Sequence, residues 1–300
     1  MHSIINDLEY DFNSRTKIIR ELAAIYPFLK VHSIGRSVLG KDLTAVTVGE
    51  GKTRVLFLGG THGSEHITSL ILLKFLEEIS FCYQNNEPYS EINLRLAFSE
   101  RKLTVIPCIN PDGCDIAIKG NVDTGIFKDR IATAANGDFR HWNANARGVD
   151  LNHNFPVGWE ELHRLERENG IYSYAKRQFG GKRPVSEPET AAVVDYCRKN
   201  NFRHALSFHS QGEVIYWNYG NKYIENAEKM AEIMSVVSGY KPDEPTGLAV
   251  GGGFKDWFIT EFSQPAFTVE VGRGENPLPV SDAPEILDRI REMLILSVIM

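Results

Sequence analysis

The sequence predicts an α/β sandwich of three layers, with helices covering both faces of one sheet. Strand-like apolar runs alternate with helical patterns along the whole chain. Turn residues are spread evenly, and there is no Ser-, Gly- or Pro-rich linker and no internal repeat. Because 42% of the 300 residues are hydrophobic, the chain can bury a sizeable core. We therefore expect residues 1–300 to form a single domain.

The N-terminal half alternates helix-like and strand-like segments. We predict a helix with Ser14 as its N-cap, two alternating strands, a buried strand, an apolar helix, a second buried strand and an Asn-Pro-Asp-Gly turn. In that order they span 13–27, 30–35, 43–48, 55–58, 67–79, 103–106 and 110–113.

Residues 120–185 lack periodicity and are rich in Asn, Gly, Arg and aromatic residues, which predicts long loops. Loops of this length in a compact domain are usually functional. Regular structure returns with a Ser-Glu-Pro-Glu helix start at 186–189. The remaining predicted elements are a strand at 205–208, a helix near 222–238, a glycine run at 251–253, a strand at 266–271 and an amphipathic helix at 283–298.

Composition excludes several classes of function. The formal charge of −6 and the interspersed basic residues give no basic stripe, so nucleic acid is not an expected partner. No apolar run approaches the roughly 20 residues of a membrane helix, and the first twelve residues carry three acids without a positive region. We expect a cytoplasmic protein. The four cysteines follow no metal-binding spacing and are expected to be reduced thiols that serve in packing.

A group of polar side chains follows the predicted strand at 55–58. His62 and Glu65 lie three residues apart in a glycine-rich turn at the carboxyl end of this strand, where open α/β sheets bind ligands. Imidazole and carboxylate are both zinc ligands. Taken separately, His62 also fits a hydrogen-bonded histidine at a strand end, and Glu65 fits an acid that complements a helix dipole. His66 is a competing ligand, ranked second because the turn spoils its helical geometry with His62.

Two further residues complete the predicted site. His209 ends another apolar strand and supplies a third ligand, which leaves the fourth tetrahedral position for water, as in catalytic zinc sites. Glu270 lies in the strand at 266–271, on the face opposite its hydrophobic residues. It is the expected general base, and the alternative interpretation is a solvent-facing carboxylate.

Read in order, these motifs resemble the zinc carboxypeptidase family that includes carboxypeptidase A. The resemblance covers nearly the whole chain. Its motifs are His62 with Glu65, Asn110–Gly113, Arg147–Pro156, Ser186–Thr190, the Phe-His-Ser around His209, Gly252–Trp257 and Thr268–Gly272.

The resemblance implies a mixed, roughly eight-stranded sheet and one zinc ion per chain. It assigns His62, Glu65 and His209 to the metal and Glu270 to the general base. The most similar branch is the bacterial γ-D-glutamyl-L-diamino acid endopeptidases, whose WxANxRGVDLNxNF motif is matched from Trp142 onward. It implies a small, murein-derived peptide as the substrate, with the γ-D-glutamyl–meso-diaminopimelate amide as the cleaved bond.

Departures from the family concern substrate binding. Asn152 matches a substrate contact, whereas His153 replaces the arginine that pairs with a terminal carboxylate in digestive members. Lys255 occupies the specificity-pocket position, where a cation would favour a carboxylate-bearing leaving residue; the alternative is a surface lysine. Leu248 replaces the family's phenolic tyrosine.

The arginine that stabilises the oxyanion is ambiguous, because the loop before the Gly-Val-Asp-Leu-Asn motif is shortened. Arg140 and Arg147 are both candidates, with a slight preference for Arg140. Three other functions compete with the endopeptidase interpretation. They are a zinc carboxypeptidase of other specificity, an N-acyl amino acid deacylase of the succinylglutamate desuccinylase or aspartoacylase type, and a metal-free module that binds murein peptides.

Overall fold

The structure is a computed structural model that describes residues 3–5, 10–222 and 224–300. A mixed eight-stranded sheet forms its centre, in the strand order β1-β2-β4-β3-β5-β8-β6-β7. Strands β3, β4, β5 and β8 run parallel to one another, and antiparallel strands flank them on both sides. The strands are β1 (Lys30–Arg36), β2 (Asp42–Val48), β3 (Thr53–Leu58), β4 (Arg101–Ile106), β5 (His204–His209), β6 (Val214–Tyr216), β7 (Lys241–Asp243) and β8 (Ala266–Glu270).

Helices cover both faces of this sheet, which confirms the predicted sandwich. Alternate residues of one strand show the two faces: Val55 and Phe57 join a core with α1, α2, α8 and α10, whereas Leu56 and Leu58 join one with α7 and α9. The helices are α1 (Phe12–Ile25), α2 (Ile67–Asn85), α3 (Leu94–Glu100), α4 (Pro111–Lys119), α5 (Lys128–Ala135), α6 (Trp159–Glu168), α7 (Pro188–Asn200), α8 (Ala227–Ser238), α9 (Phe254–Phe262) and α10 (Ala283–Ile299).

Several local predictions differ from the structure. Asp11, rather than Ser14, caps α1, because its carboxylate accepts a hydrogen bond from the Ser14 amide. The predicted Asn-Pro-Asp-Gly turn is the start of α4, with Asn110 as the N-cap and Pro111 in the first turn. Within the stretch predicted as loops, α5 and α6 form.

Two other predictions touch residues that the structure leaves undescribed. The helix predicted near 222–238 begins at Ala227, and residue 223 within that range lies outside the described residues. Residues 1, 2 and 6–9 of the acidic N-terminal stretch also lie outside them. Among the helices that the structure does describe, none has the length and apolar character to span a membrane.

Candidate metal centre and active site

Three parallel strands, β3, β5 and β8, bring the predicted residues to one edge of the sheet. His62 follows β3 and precedes a short 3-10 helix, Gly63–Glu65, that carries Glu65. Gly63 allows this turn to pack closely: a Cβ there would lie 2.3 Å from the Gly113 carbonyl oxygen and 2.4 Å from that of Trp142. The turn after β3 can approach these two carbonyl groups because residue 63 is glycine, which has no Cβ.

His62, Glu65 and His209 converge as predicted. The Nδ1 atom of His62 lies 2.8 Å from Oε1 of Glu65, and Nδ1 of His209 lies 3.0 Å from Oε2 of Glu65 and 3.3 Å from Nδ1 of His62. Ligands about 2.0–2.2 Å from one zinc ion in a tetrahedral arrangement are separated by roughly 3.3–3.6 Å. The donor types fit zinc, and the three ligand atoms lie close enough together to reach one ion: the separation of the two histidines is within this range, and the two separations from Glu65 are shorter. Within the described chain the group has three members.

His66, the competing ligand, lies outside this group. It is buried, and it lines a cavity of about 360 Å³ together with Arg140 and Pro277. Burial, followed by the positive charges of Arg15 and Arg140, lowers the pKa of His66 to about 4. His66 thus lines this cavity and is not part of the metal group.

Asp150 holds the His62 ring, a role that our sequence analysis missed. Its Oδ1 atom lies 3.1 Å from Nε2 of His62, and its Oδ2 accepts a hydrogen bond from the amide of Gln178. Burial opposes ionisation, but the charges of His62 and His153 hold the pKa of Asp150 well below its usual range. Asp150 accepts a hydrogen bond from Nε2–H of His62, which directs Nδ1, the other ring nitrogen, at the position a metal would take. The sequence feature that could have indicated this role is the position of Asp150 within the Gly-Val-Asp-Leu-Asn motif.

Glu270 ends β8 beside the third predicted ligand. It is the register partner of His209 in the parallel β5–β8 pair, and the amide of Val271 donates to the His209 carbonyl. Burial, followed by the negative charge of Glu65, raises the pKa of Glu270 to about 8, against the opposing charge of His62. A carboxyl group with a raised pKa beside a metal group is suited to accepting and returning a proton.

Two predicted substrate contacts, Asn152 and His153, lie on a short 3-10 helix, Leu151–His153. The side-chain oxygen of Asn152 accepts a hydrogen bond from the Phe254 amide. The Nδ1 atom of His153 lies 2.8 Å from Oε1 of Glu166, whose other oxygen lies 2.8 Å from Nδ1 of His163. Glu166 is fully buried. It is a second residue that the sequence analysis missed.

Lys255 is paired within the protein. Its side chain is buried, with Nζ bonded to the Asp256 carboxylate and to the backbone oxygen of Asn218. The pairing neutralises the charge that was predicted to meet the substrate. The substrate-binding role of Lys255 stays a prediction. In that role Lys255 would have to share its charge between Asp256 and the substrate.

The two candidate arginines have different surroundings. Arg140 is exposed beside the cavity that His66 lines. The Nη1 atom of Arg147 lies 3.5 Å from the Glu187 carboxylate, so part of its charge is already compensated. Both arginines stay candidates for the oxyanion role. Leu248 lies on a short 3-10 helix, Gly247–Ala249.

Comparisons with known proteins place this geometry in a family. The zinc carboxypeptidase model matches residues 16–292. The chain is 36% identical over 275 residues to γ-D-glutamyl-L-diamino acid endopeptidase 1 of Lysinibacillus sphaericus, covering 91% of this chain and 68% of that protein. It is 24% identical to rat carboxypeptidase B over 90% of this chain and 68% of that protein.

Solved structures share the fold. Bovine thrombin-activatable fibrinolysis inhibitor aligns with a TM-score of 0.74 at 21% identity, covering 98% of this chain and 96% of that one. The murein-tripeptide amidase of Escherichia coli O157 aligns with a TM-score of 0.55 at 21% identity, covering 89% and 91%. The chain therefore belongs to the zinc carboxypeptidase family and is a zinc-dependent metallopeptidase.

Proposed function

We propose that this enzyme hydrolyses the γ-D-glutamyl–meso-diaminopimelate amide of murein peptides. The observation that carries the proposal is the convergence of His62, Glu65 and His209, with Glu270 as the register partner of His209. In this proposal the three converging residues hold one zinc ion and Glu270 is the general base.

Bound zinc supplies Lewis acidity toward water and the scissile carbonyl. Glu270 accepts a proton from the attacking water and returns it to the leaving amine. Asp150 keeps the His62 ring in the orientation that the metal requires. An arginine, Arg140 or Arg147, stabilises the negative charge that develops on the carbonyl oxygen.

The substrate assignment rests on similarity and on one side chain. The relative from Lysinibacillus sphaericus is named for γ-D-glutamyl-L-diamino acid cleavage, and the Escherichia coli neighbour for murein tripeptide. His153 occupies the position where digestive carboxypeptidases carry an arginine. The contact of its Nδ1 with Glu166 holds the ring and leaves Nε2 for a substrate carboxylate.

The test compares several substrates on the zinc-loaded enzyme. Murein tri-, tetra- and pentapeptide stems are incubated beside a C-terminal hippuryl substrate and an N-acyl amino acid, and the cleaved bond is identified by mass spectrometry. We expect cleavage after γ-D-glutamate in the stems. Preferred cleavage of the hippuryl or N-acyl substrate contradicts the substrate assignment.

Glu270→Gln tests the base. We expect kcat to fall about 10²–10⁴-fold, the usual contribution of general base catalysis, with zinc content unchanged. Retained turnover in this variant removes Glu270 from its proposed role, whatever the substrate.

We also propose that the enzyme acts in the cytoplasm on soluble murein fragments. All four cysteines are free thiols, as is usual in a reducing compartment. Fractionation of cells, followed by immunodetection, tests the location; recovery outside the cytoplasm contradicts it.

A further inference from the structure

Cys108 and Cys114 form a close thiol pair that the proposed function does not use. Cys108 follows β4, and Cys114 lies in the first half of α4. Their Sγ atoms are 3.6 Å apart, within sulfur hydrogen-bond distance. Cys114 is fully buried, whereas Cys108 is 8% exposed. The two sulfurs differ, therefore, in their access to small molecules.

The pair lies in the field of a buried cation. Arg15, on α1, is 3% exposed, and its guanidinium lies 3.4 Å from the Asp115 carboxylate. Burial disfavours a charged sulfur at Cys108, but the hydrogen bond from Cys114 and the charge of Arg15 together lower the pKa of Cys108 to about 6. The hydrogen bond to Cys108 and burial raise the pKa of Cys114 well above its usual value. Cys108 is therefore the more acidic thiol of the pair, and Cys114 is the one that resists ionisation.

A small cavity reaches Cys108. A cavity of about 20 Å³ is lined by Phe12, Arg15, Pro107, Cys108 and Pro111, among others. This is room for one molecule about the size of water, which needs roughly 10–15 Å³. Its lining is shared in part with a larger groove of about 670 Å³ between α1 and the edge of the sheet; Phe12, Thr16, Ile19, Asp42 and Thr44 line both.

We propose that Cys108 and Cys114 are a peroxide-oxidised modification site. The Cys108 thiolate attacks one oxygen of hydrogen peroxide, the O–O bond breaks, and the released hydroxide is protonated to water. The resulting sulfenic acid is attacked by the Cys114 sulfur, which forms the disulfide and releases a second water. Two thiols are oxidised and one peroxide is reduced, so atoms and electrons balance.

The disulfide acts on the turn that carries the metal site. Asn110 lies between the two cysteines, and its side-chain amide donates to the carbonyl oxygens of Thr61, Asn143 and Ala144. Thr61 directly precedes His62. An S–S bond is about 2.05 Å long, so the sulfurs must approach by roughly 1.5 Å. A displacement of that order near a reacting centre costs up to about 10²-fold in rate.

The test uses one tryptic peptide. Zinc-loaded protein is treated with hydrogen peroxide, denatured, alkylated and digested; residues 103–119 contain both cysteines and no internal Lys or Arg. We expect this peptide to lose two hydrogens and to resist alkylation, while Cys82 and Cys197 are alkylated normally. If Cys108 and Cys114 are oxidised no faster than Cys82, the site is overturned.

Variants separate the steps. Cys114→Ser is expected to stop at the sulfenic acid, trapped by a 1,3-dicarbonyl reagent, and absence of the adduct contradicts Cys108 as the attacking thiol. Arg15→Met is expected to slow the reaction about tenfold, with the exposed Arg20→Met on the same helix as the control. Equal rates in the two arginine variants overturn the role of Arg15.

A reducing agent distinguishes a reversible effect of the disulfide on activity from irreversible oxidation of the protein. We expect kcat/KM on any substrate that the enzyme cleaves to fall about tenfold or more on oxidation and to return with dithiothreitol. A disulfide without this change overturns the coupling to the metal site. The mass readout of the thiol pair does not depend on the proposed substrate or base, so its failure is distinguishable from theirs.

Discussion

Asp150 and Glu166 each hold a histidine through one ring nitrogen and leave the other nitrogen for a different task. Asp150 contacts Nε2 of His62, so Nδ1 is directed at the metal group. Glu166 contacts Nδ1 of His153, so Nε2 is the nitrogen available to a substrate. Carboxylates behind imidazoles fix the proton and the ring orientation.

Replacing Asp150 with Asn is expected to weaken zinc binding about 10–100-fold, since the ligand His62 loses its charged partner. Competition with a chromogenic chelator measures this change. Asp138→Asn is the matched control, because Asp138 also contacts a histidine ring, that of His141, on a more exposed surface. Similar affinity for zinc in the two variants contradicts the role of Asp150.

Replacing Glu166 with Gln is expected to raise KM about tenfold for substrates with a free carboxylate on the leaving residue, with kcat little changed. The amide is a weaker hydrogen-bond partner for the His153 ring than the carboxylate, and hydrogen bonds to charged groups contribute roughly 1.5–3 kcal/mol. The same substrates with that carboxylate amidated are the control. A general fall in kcat on both substrate sets indicates that Glu166 only maintains the structure.

Among the elements, the turn between β3 and α2 is tightly constrained. Gly63→Ala places a methyl group against two backbone carbonyls, and overpacking of this kind costs about 1–3 kcal/mol. We expect lower thermal stability together with weaker zinc binding, because Glu65 lies in the same turn.

Gly125→Ala is the matched control for Gly63→Ala. Gly125 has a φ of +55° and no neighbouring atom within 4 Å of an added Cβ, so only backbone strain of about 1–2 kcal/mol applies. Zinc affinity should be unchanged in this variant. Equal loss of zinc affinity in both variants contradicts the packing argument at Gly63.

The sequence predicted the strands that are buried on both sides, together with the exposed β1, and missed helices such as α6. β3, β4 and β5 are fully buried along most of their length, and such strands appear as short apolar runs. Helix α6 buries only Leu162 and Glu166, so its apolar signal is weak. The same limit applies to the site: the metal group follows from residue types at strand ends, whereas Glu166 resembles a surface charge until the fold places it beside His153.

At the scale of the whole molecule, a buried histidine couples stability to pH. His204 is fully buried on β5 and donates to the Ser297 carbonyl at the end of α10. Burial lowers the pKa of His204 from 6.5 to about 4. The contribution of neutral His204 to the free energy of unfolding is therefore fully present above about pH 6.5. It is lost as pH falls toward 4, because the histidine of the unfolded chain binds a proton at a higher pH than that of the folded protein.

His204→Gln is expected to reduce the acid sensitivity of the unfolding free energy by roughly 3 kcal/mol between pH 7 and pH 4. Urea unfolding at both pH values, with a chelator present so that zinc loss contributes nothing, measures the difference. An unchanged pH slope in His204→Gln would falsify the linkage.

We propose that the chain forms one domain, since the sheet joins strands from Lys30 to Glu270. The pairing of His209 with Glu270 then has a mechanical meaning. The ligand His209 and the base Glu270 are directly opposite each other on neighbouring strands, so the spacing between the strands sets their separation, and no loop does. Amide hydrogen exchange at Val271, whose N–H closes this rung, should be as slow as exchange in the sheet centre. The reaction centre would then open only when the sheet itself opens, whereas the surrounding loops are free to change length and specificity.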